Sequence, residues 1–162
     1  MENWCSNSVR FSGDPGTIHE ITWLFRAMSA LEKETGQGQR PPFIAGNDGY
    51  IQNIDFFDRS IFFETPSVPN IDLLVEIADR YGADFALDYH ELGCSVFGEA
   101  DYVQGTLTDI RLGVEDFEQF SYDLQEQAYM YEGLYYDSDA EILEIMLAIK
   151  KEQLDYPSGQ RR

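Results

Sequence analysis

Ala83-Asp84-Phe85-Ala86-Leu87-Asp88-Tyr89-His90-Glu91 alternates with period two, so Phe85, Leu87 and Tyr89 fall on one side of an extended chain and Asp84, Asp88 and His90 on the other. Leu92-Gly93 then turns the chain into a strand from Cys94 to Val103, and Gln104-Gly105 turns it again into Thr106 to Leu112. Three strands joined by short turns predict an antiparallel meander with one apolar and one polar face.

Upstream, residues 3–12 predict a first strand, with Ser8 to Ser12 alternating, and Gly13-Asp14-Pro15-Gly16 a turn. Thr17 and Glu20 stand at capping-box spacing, opening a helix on Ile18, Ile21, Phe25, Met28 and Leu31 that Gly36 and Gly38 end. After a Gly- and Pro-rich loop from Gln37 to Gln52, strands are expected at Asn53 to Phe57 and Ser60 to Thr65. Pro69 suits the first turn of a second helix, which buries Leu73, Leu74, Ile77, Ala78 and Tyr81 and stops at Gly82. The order up to Leu112 is β-α-β-β-α-β-β-β.

Beyond Gly113 the period changes. Phe117, Phe120, Leu124 and Ala128 predict an amphipathic helix from Glu115 to roughly Tyr131. Ser138 and Glu141 form another capping box before a last helix carrying Ile142, Leu143, Ile145, Met146, Leu147 and Ile149. The expected organisation is an α+β domain over residues 1–112 and an acidic helical extension over 113–162 packed on it. The tail 157–162 is expected to be disordered.

Asn3-Trp4-Cys5-Ser6-Asn7 followed by Val9-Arg10-Phe11-Ser12-Gly13, then Phe62-Phe63-Glu64-Thr65-Pro66 with Pro69, then Tyr89-His90-Glu91-Leu92-Gly93, Phe97-Gly98 and Gly105, occur in that order. Together they resemble the YubB-like (Api-type) proteins of conjugative plasmids and phages, over residues 3–112. The resemblance implies a ferredoxin-like antiparallel sheet with two helices on one face and a mobile-element setting, and it implies no activity. Relatives usually keep a Trp near the Thr-Pro lead-in, where this chain has Ser67-Val68.

The net charge of −19 on 162 residues is concentrated: twenty Asp and Glu lie between Glu64 and Glu144 against only Arg80 and Arg111. Such a surface repels nucleic acid and anionic lipid and attracts basic surfaces over ~8–10 Å at physiological salt. The 14% aromatic content separates the chain from disordered acidic tails. No segment reaches the ~18–20 apolar residues of a membrane span. Met1-Glu2-Asn3-Trp4 lacks the basic and apolar regions of a secretory signal, and Cys5 and Cys94 form neither a metal pattern nor a disulfide framework. A cytoplasmic location, with both thiols buried and free, is the expectation.

No constellation demands chemistry. Gly46-Asn47-Asp48-Gly49 echoes a calcium loop, but Ile44 stands at the first ligand position and Asp55 at the last, so a plain turn is expected. Asp84, Asp88 and His90, with Glu99 and Asp101 on a neighbouring strand, suit either a divalent metal or acid–base site or a solvated sheet face. Glu91 is expected to bind backbone amides of a glycine hairpin. No Walker loop, dinucleotide fingerprint or nucleophile elbow occurs. No cofactor or metal is expected.

The expectation is therefore a non-enzymatic interaction protein whose acidic surface occupies a basic protein surface, including one that itself holds nucleic acid, as a decoy or inhibitor. Direct nucleic-acid and membrane binding are not expected. The candidate partner-binding residues are Glu115, Asp116, Glu118, Asp123, Glu126, Glu132, Asp137, Asp139, Glu141 and Glu144, with Tyr129, Tyr131, Tyr135 and Tyr136 serving either as interface rings or as packing. Asp116, Asp123 and Glu126 would lie along one helical line. The alternatives are a small metal-dependent hydrolase on Asp84, Asp88 and His90, and a soluble structural or oligomeric module without a dedicated partner. Because like charges dominate, the melting temperature should rise as salt is added from low to physiological ionic strength; a flat or falling calorimetric trend would contradict this.

Overall fold

A computed structural model describes residues 3–45 and 49–155. The turn expected at Gly46-Asn47-Asp48 and the disorder expected at 157–162 fall outside the described residues. The chain runs β1 (Trp4–Ser12), α1 (Pro15–Thr35), β2 (Gln52–Phe57), β3 (Ser60–Pro66), α2 (Ile71–Tyr81) and β4 (Asp84–Glu91), then the hairpin β5 (Val96–Val103) and β6 (Thr106–Leu112). The sheet order is β2-β3-β1-β4-β5-β6, antiparallel throughout. Its first four strands with α1 and α2 make the ferredoxin-like unit, and the hairpin widens the sheet beyond β4.

The predicted alternation sets the layers. Val9 and Phe11 of β1, Ile61 and Phe63 of β3, Phe85, Leu87 and Tyr89 of β4, and Ala100 and Tyr102 of β5 are buried under α1 and α2. α1 contributes Ile21, Leu24, Phe25 and Met28, and α2 Leu73, Leu74, Ile77 and Ala78. α1 starts at Pro15, with Asp14 as N-cap and no side-chain cap bond, so the Thr17–Glu20 box is not the start. Proline, with its fixed φ and no N–H, suits the first turn and sets the boundary earlier. Leu31, expected on the buried stripe, is 49% exposed. Pro69 precedes the second helix, whose N-cap is Asn70. Cys5 is buried and Cys94 exposed, so only one thiol follows the expectation that both are buried.

Two internal ties account for recurrent residues of the resemblance. Buried Asn7 donates through Nδ2 to the Cys5 carbonyl and Thr65 Oγ1, both at 3.0 Å, while the Thr65 hydroxyl donates to the Val68 carbonyl at 2.7 Å. β1 is thereby fixed to β3 and to the approach to α2. Tyr89 pairs with Gly98 across β4 and β5, and its hydroxyl reaches over the glycine to Asp109 of β6 at 2.5 Å. A Cβ on Gly98 would stand 2.5 Å from that hydroxyl and 2.7 Å from the Ile110 carbonyl oxygen.

The region after Gly113 departs from its predicted form. α3 (Val114–Phe117) is one turn long, and a three-stranded meander follows: β7 (Ser121–Asp123), β8 (Ala128–Tyr131) and β9 (Leu134–Tyr136), before α4 (Asp139–Asp155). The helix expected over Glu115 to Tyr131 is not formed. Tyrosine-rich segments favour strands. The Asp123 carboxylate accepts the Gln125 N–H at 2.9 Å and the Glu126 N–H at 3.3 Å, making a turn where the helix would continue. Glu132 and Gly133, at φ 54° and 77°, form the two-residue hairpin turn joining β8 to β9, a backbone that glycine adopts without strain. Leu124, assigned to the helix's apolar stripe, is 83% exposed. The helical extension is thus a short helix, a β-meander and one long helix.

Ile142, Leu143, Met146 and Leu147 of α4 pack with Tyr131 and Leu112 in a second core, joined by Phe97 and Ile110. These sheet residues alternate with those under α1 and α2, so α4 covers the opposite face over β5 and β6. Lys150 pairs with Asp116 at 3.3 Å and Lys151 with Glu99 at 2.7 Å.

Gly98→Ala should cost about 1–3 kcal/mol in urea unfolding, from overpacking against Tyr89. Tyr89→Leu in the same chain should recover part of that loss.

Candidate functional site

β4 positions the site through the same alternation that fixes the core. Ser8, Asp88, Glu99 and Ile110 form one cross-strand row on the second face; Ser6, His90, Phe97 and Leu112 form the next. α4 covers the outer half of these rows, and its near side carries Glu144 and Leu147. A cleft of about 190 Å³ remains, lined by Asp88, His90, Phe97, Glu99, Glu144 and Leu147 among others. Carboxylates from β4, β5 and α4 converge in it.

Asp88 is exposed as a residue, yet partial desolvation at the cleft first, then the charges of Glu99, Glu144 and Asp101, push its carboxyl above its ordinary value, while Lys151 opposes the rise. Lys151 reaches in from α4 to donate to Glu99 Oε2. The cleft therefore holds concentrated negative charge with one lysine at Glu99. Its chemistry suits a cationic group: a guanidinium or ammonium there gains charge-assisted hydrogen bonds.

Of the sheet residues picked out in the sequence, Asp88, His90 and Glu99 meet in the cleft. Asp84 is at the other end of β4, where its Oδ1 accepts the Gln104 N–H at 2.9 Å, so the three-residue set Asp84, Asp88 and His90 is not assembled at one point. Among the described residues no group of three or more His, Cys, Asp or Glu is placed to hold a metal ion. Glu91 Oε1 accepts the Gly93 N–H at 2.8 Å, closing the hairpin as expected.

The extension's residues divide. Glu144 alone of the candidate set lines the cleft with sheet carboxylates. Asp116 accepts the Gly113 N–H at 2.7 Å and pairs with Lys150, while Asp123 holds its turn and accepts the Tyr135 hydroxyl at 3.1 Å. Asp123 and Glu126 belong to a β-turn, so the helical line through Asp116, Asp123 and Glu126 does not exist. Glu115, Glu118, Glu126, Glu132, Asp137 and Glu141 are exposed, and Asp139 is half-exposed in the first turn of α4. Tyr131 is buried, Tyr129 and Tyr136 pack against the second core, and Tyr135 remains 50% exposed. The meeting of Glu144 with Asp88 and Glu99 carries no local signal, because it depends on which face α4 covers.

Residues 46–133 match the family of ferredoxin-like domains in Api92-like proteins. The chain belongs to that family. The matched stretch continues past Leu112 through β7 and β8. No curated protein and no solved structure matches the chain. Among the described residues no helix is long and apolar enough to cross a membrane.

A raised carboxyl makes the folded state bind its proton more tightly than the unfolded chain, so stability falls as pH rises from 3.8 through the folded value. The destabilisation is complete only above that folded value. Asp88→Asn should raise the melting temperature at pH 7, and the difference should vanish as the pH is lowered below the ordinary value. An equal gain at all pH values would point to packing instead.

Proposed function

We propose that this Api92-like member is a non-enzymatic interaction protein whose acidic cleft and extension engage a basic surface of another protein. The convergence of Asp88, Glu99 and Glu144 from three elements carries this reading, because a concave anionic site rejects phosphate and receives Lys or Arg. The exposed Glu115, Glu118, Glu126, Glu132, Asp137 and Glu141 widen the field around it. Glu141 and Glu144, three apart on α4, stand ~5–6 Å apart, a coarse likeness to phosphate spacing along a strand.

A partner that itself holds nucleic acid presents the complementary surface, so the chain would act as a decoy or inhibitor on it. The resemblance to plasmid and phage proteins supports such a role, since a mobile element gains from blocking host nucleic-acid enzymes. The cytoplasm is the compartment in which that partner would be met. Tyr135 and Tyr122, both about half exposed in the meander, add rings to the extension's surface.

The test is a pull-down with the full chain from native-host extract, compared with Asp88→Asn/Glu144→Gln. Basic proteins should be retained at ~0.05 M salt and released by ~0.3 M, and the double variant should retain them at least about tenfold more weakly. Retention that ignores both salt and the substitutions would overturn the reading.

A further inference from the structure

On the side of the sheet away from the acidic cleft, α1 carries Trp23, Ala27 and Leu31 at i, i+4 and i+8, a single stripe along the helix. Trp23 is 69% exposed, although the helix side next to it is core. The chain returns past this stripe through Arg40 and Pro42, and Tyr81 at the end of α2 completes a groove of about 210 Å³. The groove is apolar apart from Arg40 and Glu20.

Arg40 is the informative residue. Its Nη1 is buried and without a hydrogen-bond partner, and it forms no ion pair among the described residues. Arg40 as a whole is half-buried, and a carboxylate bound to its guanidinium would offset the cost of keeping Nη1 without an acceptor. The surroundings permit an anion despite the chain's total charge. From Pro15 to Pro42, Glu20, Glu32 and Glu34 are balanced by Arg26, Lys33 and Arg40. α2, whose Tyr81 lines the groove, adds Asp72, Glu76 and Asp79 against Arg80, with Asp79 already accepting the Tyr102 hydroxyl. Glu32 is already engaged, accepting the Ile54 N–H at 3.1 Å.

We propose that this groove docks a segment of a partner protein that presents an apolar side chain beside a carboxylate, with the carboxylate on Arg40. The size favours one anchoring side chain over a drug-sized molecule, which occupies ~300–1,000 Å³. The lining also has the composition of interface centres, where Trp, Tyr and Arg dominate. Glu20, one turn ahead of Trp23, disfavours a second acidic residue at that end. The proposal is independent of the acidic cleft, which takes the opposite charge on the opposite face.

Random heptapeptides displayed on phage and selected on the full-length protein in ~0.5 M salt test it, because exposed charges are screened there and partly buried pairs much less. The selected peptides should pair an aromatic or large aliphatic residue with Asp or Glu. By calorimetry, Arg40→Gln should weaken the best synthetic peptide about tenfold and remove its preference over the Asn or Gln analogue. Trp23→Ala, at an exposed site that leaves the fold intact by circular dichroism, should abolish binding. Asp88→Asn/Glu144→Gln should change nothing. No enrichment, or peptides that bind Arg40→Gln and Trp23→Ala as well as the parent, would overturn the proposal. Enrichment only of Lys- and Arg-rich peptides lost in the Asp88→Asn/Glu144→Gln chain would also overturn it, while leaving the reading of the cleft standing.

Discussion

The register of β4 is the constraint on which both sides of the molecule depend. Phe85, Leu87 and Tyr89 must lie under the helices for the main core to close, and Asp88 and His90 then have to face the other way. A slip of one residue would drive those polar groups beneath α1 and α2 and expose three large apolar side chains. The ties at Tyr89 oppose such a slip, since its hydroxyl reaches Asp109 only when Gly98 is its partner. The acidic cleft is in this sense a by-product of core packing that α4 then shapes.

The second core is small beside the first. It rests on a few residues of α4, Tyr131 and the outer strands of the sheet, with half-exposed pairs at Lys150–Asp116 and Lys151–Glu99. Pairs of that exposure contribute ~0–1 kcal/mol each, so apolar burial holds α4 in place and the lysines mainly offset local repulsion. The concentration of carboxylates beside α4 opposes its docking. The fold tolerates this because Ile142, Leu143, Met146 and Leu147 fill the space over Leu112.

The ferredoxin-like part was legible because its signals are local and agree. Period-two alternation in β4, glycines at Gly36 and Gly82, and the turns at Gly93 and Gly105 each mark one boundary. The extension was less legible because its signals conflict. Phe117, Phe120, Leu124 and Ala128 fit a helix by spacing alone, whereas the tyrosines and the turns at Asp123 and Gly133 favour strands. Packing decided for the strands. The cleft was half legible: Asp88, His90 and Glu99 share a face by alternation, but Glu144 joins them only through the placement of α4. The groove at Arg40 gave no sequence signal, since it forms where a loop returns to a helix.

The charge is distributed unevenly across the sheet. α1 and the loop behind it balance, while α4 and the meander carry carboxylates that few basic groups answer. That separation places the extension's carboxylates on the side of the sheet that α4 covers, where they draw positive charge. The Trp23 stripe of α1 lies on the other side of the sheet, so the acidic cleft and the apolar groove do not overlap.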